Sequence, residues 1–258
     1  MVPGRCAHRC VTTAVDGREM SERFYFRQLL AGQDFALDDQ VAGPMANYCY
    51  LIGDRERGEA VAVDPAYRVR ELVDIVEADG LRLTGVLVTH YHPDHVGGDL
   101  GGWKIEGLRE LLSMDGFAAP IHVQQREASG VMRVTGASES DLVRHQSGDI
   151  VTVGDIEITL LHTPGHTPGS QCFLVDGRLV SGDTLFLDGC GRTDLPGGDP
   201  AALYESLTQK LAVLPDETVL YPGHHYSPEA SATMAETRRR NIVFRPRTLE
   251  QWLMMFGN

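Results

Sequence analysis

The chain reads as an α/β protein whose two halves pack sheet against sheet, with a polar site along one edge. Three observations carry this reading. Apolar runs of strand length alternate with helical periodicities in both halves. Strand ends in both halves open onto loops rich in His, Asp and Gly. One of those loops, THYHPDH at 89–95, crowds three histidines and an aspartate between His90 and His95.

The elements follow in order. VAVDPA (61–66) is a short apolar run closed by Asp-Pro, hence a strand and a turn. Val69, Leu72, Val73 and Val76 fall at helical spacing within 68–80, and Gly80 stops that helix. LTGVLVTH (83–90) is a buried strand that delivers the histidine cluster at its end. A helix is expected over 105–114 and a strand over 120–124. Residues 149–166 form two strands around a Gly-Asp turn and end in a loop. Residues 172–183 form a hairpin with Asp-Gly at its tip. An N-capped helix spans 199–215 and is stopped by proline. ETVLYPGH (217–224) is a strand ending in a Gly-His loop, and 227–241 and 248–256 are helical.

A length of 258 residues allows one large domain or two small ones. No linker interrupts the pattern from residue 21, so 21–258 is expected to be one domain and 1–20 a disordered tail, with Met20 an alternative start. Cys6-Ala-His8-Arg-Cys10 has no second Cys/His pair at zinc-finger spacing and is assigned to that tail. No apolar run approaches the roughly 18 residues of a membrane span. The first residues contain no apolar signal core, so a cytoplasmic location is expected. The formal charge of −13 repels phosphate backbones and excludes nonspecific nucleic-acid binding. An anionic metabolite would need a local cation or a metal. The five cysteines are odd in number and irregularly spaced, which argues against a disulfide framework.

Four separate stretches end in potential metal ligands: His90, His92, Asp94 and His95 in the first, His166 in TPGHTPGS, Asp183 in SGDTLF, and His224 in YPGHHYS. Such nitrogen and oxygen donors suit zinc, iron, manganese or cobalt. Seven exceed what one tetrahedral ion needs and match two ions sharing a bridging carboxylate. Three imidazoles in one loop repel when protonated and waste hydrogen-bonding capacity when neutral, so a metal explains them. A lone histidine near a strand end is usually a satisfied polar residue, and His8, His122 and His145 are read that way. His162 and His225 neighbour the ligands and are read as support for them. Gly97-Gly98, Gly165 and Gly223 flank the ligands and are expected to supply sharp turns.

THYHPDH resembles the signature of the metallo-β-lactamase superfamily, and TPGHTPGS, GDTLF and YPGH follow in the same order over roughly residues 40–226. The resemblance implies a four-layer αββα sandwich with the metals at one edge of the paired sheets. It implies that His90, His92 and His166 bind one ion, that Asp94, His95 and His224 bind a second, and that Asp183 bridges them.

Within that superfamily, Asp183 stands where lactam-hydrolysing members often carry Cys, and His92 where flavodiiron members carry an acid. The pattern is similar to glyoxalase II, persulfide dioxygenases and tRNA-processing nucleases. The nucleases rank third, since the acidic charge does not favour RNA. GCGRTDLPGGDP (189–200) resembles the loop after the bridging Asp in glyoxalase II and the persulfide dioxygenases, and the C-terminal ETRRRNIVFRPRTLEQWLMMFG resembles the latter's tail. The segment from His95 to His166 is longer than in either group and predicts an extra helix over the site.

The resemblance therefore implies a metal-dependent hydrolase of a thioester or ester, similar to hydroxyacylglutathione hydrolase, using two divalent ions, zinc by expectation. Asp94 would orient the attacking water, and the substrate would be a small anionic, thiol-derived molecule. The alternative is a persulfide dioxygenase with one iron on His90, His166 and Asp183. A metal-binding module without turnover is disfavoured because all seven ligand types are intact. Arg192 either grips a substrate carboxylate or pairs with Asp194 or Asp199. Tyr221 and Tyr226 flank His224 and either line the pocket or pack in the core. Arg238, Arg239 and Arg240 are read as a solvated helix face, and Cys190 as a packed small residue.

Overall fold

The computed structural model describes residues 23–257. The tail, with Cys6, His8, Cys10 and Met20, lies outside the described residues.

The first half runs β1 (Phe24–Leu30), α1 (Ala42–Met45), β2 (Tyr48–Asp54), β3 (Glu59–Val63), α2 (Val69–Ala78), β4 (Arg82–Leu87) and α3 (Pro93–Val96). A hairpin of β5 (Gly98–Leu100) and β6 (Trp103–Ile105) follows, then α4 (Leu108–Leu112), β7 (Ile121–Gln124), α5 (Ala128–Thr135) and β8 (Leu142–His145). The second half runs β9 (Ile150–Val153), β10 (Ile156–His162), β11 (Gln171–Val175), β12 (Arg178–Gly182), α6 (Pro200–Glu205), β13 (Val219–Pro222), β14 (Ala232–Thr233), α7 (Met234–Arg240) and α8 (Leu249–Phe256).

The strands form two six-stranded sheets, ordered β1-β2-β3-β4-β7-β8 and β14-β13-β12-β11-β10-β9. Side-chain alternation sorts residues into layers. In β2 and β3, Tyr50, Ile52, Val61 and Val63 face the opposite sheet, where they meet Ile158, Leu160, Phe173, Val175 and Val180. The alternate residues Leu51, Ala60 and Ala62 pack outward under Leu72 and Val76 of α2. Ile121 and Val123 of β7 pack with Leu108 and Leu111 of α4 and Val131 of α5. Beneath the second sheet, Cys172 and Leu179 meet Leu203, Met234 and Trp252 of α6, α7 and α8. The result is the expected four-layer αββα sandwich.

Parallel pairing sets the functional edge. β3 pairs parallel with β4, and β12 parallel with β13, while β10 runs antiparallel to β11 and β11 antiparallel to β12. The C-terminal ends of β10, β12 and β13 therefore emerge on one side, and each leads into a loop that carries one of the candidate ligands. The two halves are tied together there: Tyr48 N–H donates to Gly223 O (2.8 Å) and His225 N–H to Ala46 O (2.9 Å).

Several boundaries differ from the sequence expectation, each for a local reason. The helix predicted over 105–114 starts at Leu108, because Ile105 pairs with Gly98 in the β5–β6 hairpin. The helix predicted over 227–241 is α7 alone, since Ala232 and Thr233 first pair with β13. Thr233 and Glu236 then cap each other's backbone N–H and set the start of α7. The helix predicted over 199–215 begins as expected, with the Asp199 carboxylate accepting from Ala201 N (2.9 Å) and Ala202 N (3.0 Å), but widens into a π-helical stretch over Ser206–Leu211. The extra helix expected between His95 and His166 is α5, and it shares its place beside the site with the β5–β6 hairpin.

Candidate metal centre

THYHPDH leaves the end of β4 and enters α3. His90 precedes the helix, His92 is its N-cap, and Asp94 and His95 lie in its single turn. His166 sits on the loop after β10, Asp183 directly after β12, and His224 two residues after β13. All seven converge.

Two triads result, each with its donor atoms within 4.8 Å of one another: His90, His92 and His166, and Asp94, His95 and His224. In the first, His92 Nδ1 lies 3.0 Å from both His90 Nε2 and His166 Nε2. In the second, His95 Nε2 is 3.2 Å from His224 Nε2, and Asp94 Oδ2 lies 3.5 and 3.4 Å from those two nitrogens. Asp183 faces both triads, with Oδ2 3.7 Å from His166 Nε2 and 3.3 Å from His224 Nε2, and Oδ1 3.3 Å from His95 Nε2.

The rings behind these atoms are oriented by hydrogen bonds on their far nitrogens. His166 Nδ1 donates to Arg192 O and His224 Nδ1 to Met45 O, both at 2.8 Å. His95 Nδ1 donates to Asp64 Oδ2 at 2.9 Å. The Thr89 hydroxyl spends its proton on Asp64 (2.5 Å), so its oxygen accepts from His90 Nδ1 at 3.0 Å. In each of these four rings Nδ1 is thus engaged and Nε2 is turned inward, the orientation that metal ligation requires. Asn47 donates to Asp94 Oδ2 (3.1 Å) and is held by the Tyr67 hydroxyl (2.7 Å).

Electrostatics agrees with that donor set. Burial, then repulsion from His95, His92 and His166, holds His90 far below its ordinary value. Burial and His166 push His92 down to about 4. Both rings are therefore neutral, as ligands must be. At the second triad burial opposes charge, yet Asp183 and Asp94 raise His95 and His224. Burial likewise opposes ionisation of Asp183, but His224 and His95 hold it well below the carboxylate range. Asp183 Oδ1 is buried and has no hydrogen-bond partner. A buried anionic oxygen without a hydrogen bond, faced by inward-turned imidazole edges, fits divalent cations that would take the place of protons there.

Asp64, Asn47, Tyr67 and Thr89 belong to this site and were not singled out in the sequence. Asp64 was legible only as the acid of an Asp-Pro turn. With His90 and His95 it forms a third group compact enough for an ion. Its oxygens are already taken by Thr89 N (2.7 Å), the Thr89 hydroxyl and His95, so it acts as a support. The glycines play different parts. Gly165 adopts φ +139°, the left-handed half of the map, and a Cβ there would lie 2.4 Å from Leu203 Cα. Gly223 instead provides room, since a Cβ would lie 2.4 Å from Asp183 Oδ1.

The cleft over the centre measures about 1010 Å³ and includes His92, Asp94, His166, Asp183 and His224 in its floor. Both expected substrate contacts, Arg192 and Tyr226, line it. Arg192, however, is engaged at two points by Asp194, both at 2.6 Å. Tyr226 stacks on His224, with centroids 4.7 Å apart and rings 12° from parallel. Tyr221 lies away from the cleft and packs between the sheets against Phe26 at 4.7 Å. His162 and His225 brace loops, through Pro168 O (3.0 Å) and the Tyr48 hydroxyl (2.6 Å), rather than the ligand rings. His122 and His145 hydrogen-bond to each other at 2.8 Å. Cys190 is half-buried, and burial pushes its thiol up to about 12. Of the three arginines read as a solvated face, Arg239 is exposed, but Arg238 pairs with Asp216 and donates to Ala212 O and Leu214 O, and Arg240 lies 3.1 Å from Glu229, which corrects the reading for those two. The acceptors of Arg238 come from the segment that leads into β13.

The metallo-beta-lactamase superfamily model matches residues 42–224. The human mitochondrial persulfide dioxygenase ETHE1 is 30% identical over 82% of this chain and 76% of its own length. A hydroxyacylglutathione hydrolase of Nitrosococcus oceani is 35% identical over 72% of this chain and 64% of its own length. The crystal structure of ETHE1 from Myxococcus xanthus superimposes with a TM-score of 0.72 at 33% identity, covering 91% of this chain and 90% of that one. Fold, motif order and convergent donors agree with these matches, and the chain belongs to the metallo-beta-lactamase superfamily of metal-dependent enzymes.

Proposed function

We propose that the chain is a hydrolase of an anionic thioester or ester, of the hydroxyacylglutathione hydrolase kind, that holds two divalent ions. One observation carries the reading: the Asp183 carboxylate faces both triads at once, as a shared ligand would. In this reading His90, His92 and His166 hold one ion, Asp94, His95 and His224 the other, and Asp183 both. Divalent ions so placed supply water whose pKa is lowered to about 7 and a Lewis acid for the carbonyl oxygen. Asp94, oriented by Asn47, orients the attacking water. A departing thiolate is stable enough to need no strong general acid. The 35% identity to a hydroxyacylglutathione hydrolase supports the substrate class.

A second reading has its own support. The likeness to ETHE1 extends over nine-tenths of both chains, and His90, His166 and Asp183 make a two-His, one-carboxylate face that suits one iron. Metal analysis of protein purified without added metal separates the two. Two ions per chain, with about a hundredfold or greater loss of thioester hydrolysis in His224→Ala, supports the hydrolase. One iron per chain, oxygen uptake on glutathione persulfide and an indifferent His224→Ala would overturn it.

A further inference from the structure

Net charge of −13 poses a problem for an anionic substrate, and the cleft sharpens it, because Asp94, Asp99, Asp183 and Asp188 all line the space. Two cations, Arg133 and Arg192, share that lining. They are not equivalent. Arg192 is already matched by Asp194 in a planar two-point pair, and its carbonyl is committed to His166. Arg133, on α5, makes no ion pair within 4 Å among the described residues. Its guanidinium lies over the Tyr91 ring, 5.4 Å from the centroid. Tyr91 is a rigid platform. It stands between His90 and His92 in the chain, its ring meets the His92 ring edge-on at 5.1 Å, and its hydroxyl donates to Pro196 O at 2.9 Å. One turn earlier, α5 presses so closely on Tyr91 that a Cβ on Gly130 would lie 2.6 Å from the ring.

We propose that Arg133 is the anion anchor of the cleft, binding a carboxylate on the non-reacting end of the substrate while the reacting carbon lies over the metal centre. Its place over the Tyr91 ring holds the guanidinium at the cleft, and its N–H groups, paired with no carboxylate among the described residues, can take one from the substrate. Asp194 would have to be displaced before Arg192 could do the same. The inference rests on the reading of the substrate as an anionic thiol derivative, and it makes Arg133 a specificity residue rather than a catalytic one.

The test compares wild type with Arg133→Gln and Arg133→Lys, all metal-loaded. Two thioesters carrying the same lactoyl group are used: one of glutathione, which bears carboxylates, and one of N-acetylcysteamine, which bears none. Arg133→Gln should raise KM for the glutathione thioester about tenfold, with kcat held and the neutral thioester unaffected. Arg133→Lys should recover part of the loss. Direct calorimetric binding of S-hexylglutathione, which is not turned over, provides a readout independent of chemistry and should weaken about tenfold in Arg133→Gln. If wild type hydrolyses neither thioester yet shows that binding difference, the hydrolase reading fails and the anchor stands. Equal losses on both thioesters, unchanged S-hexylglutathione affinity in Arg133→Gln, or no binding by wild type would each overturn the anchor. Arg133 is exposed, so its replacement leaves the core intact.

Discussion

Glu127, at the N-cap of α5, has no solvent exposure. Its Oε1 accepts from the Thr167 hydroxyl, next to His166, and its Oε2 is buried without a partner. Burial pushes this carboxyl from the ordinary 4.5 up to about 7, against the opposing pull of Thr167, Gly169 and Arg133. The perturbation is Glu127→Gln, which keeps the shape and removes the titration. Below pH 4.5 the carboxyl is neutral in both folded and unfolded chains. Between pH 4.5 and about 7 the unfolded chain ionises first, so the folded state binds more protons and wild-type stability falls as pH rises. Above pH 7 both states are ionised and the loss is complete. The interval from 4.5 to about 7 corresponds to about 3 kcal/mol at ~1.4 kcal/mol per tenfold change in proton affinity. The stability of wild type minus that of Glu127→Gln should therefore drop by about 3 kcal/mol between pH 4.5 and 8. Equilibrium urea unfolding of both proteins at matched metal loading measures it, because the other titrating groups cancel in the difference. Stability curves that stay parallel within about 0.5 kcal/mol across that range would refute a buried, neutral Glu127.

Three further outcomes follow from the same geometry. Gly223→Ala places a methyl 2.4 Å from Asp183 Oδ1 and should lower bound metal per chain, read by elemental analysis, while circular dichroism stays native; full metal content would contradict the shared-ligand role of Asp183. Trp252→Ala should cost about 3–5 kcal/mol in urea unfolding, because the ring is fully buried against Tyr204 and Phe256 and its N–H donates to Pro200 O at 2.9 Å; a loss under about 1 kcal/mol would mean that α8 is not part of the core. Chelation should lower the thermal midpoint, since ions bind the folded donor set and not the open chain, and an unchanged midpoint would argue against metal binding by these residues.

The histidine cluster, the order of the ligand motifs and most strand positions could be read from local pattern alone. That is because alternation, helical spacing and ligand clustering are short-range properties of the chain. Segment length announced α5 but no local periodicity bounded it, and the starts of α4 and α7 were placed too early, because pairing with neighbouring strands took up Ile105, Ala232 and Thr233. Tertiary structure alone decided which side chains support the ligands. Asn47 touches His224 across 177 residues, and Asp64 orients His95 across 31. It also separated Tyr226, stacked on His224, from Tyr221, packed between the sheets, though both flank His224 in sequence. The physical reason is that hydrogen bonds and ion pairs depend on which loops meet at the sheet edge, and that meeting is set by strand order and register, which no short window of sequence contains.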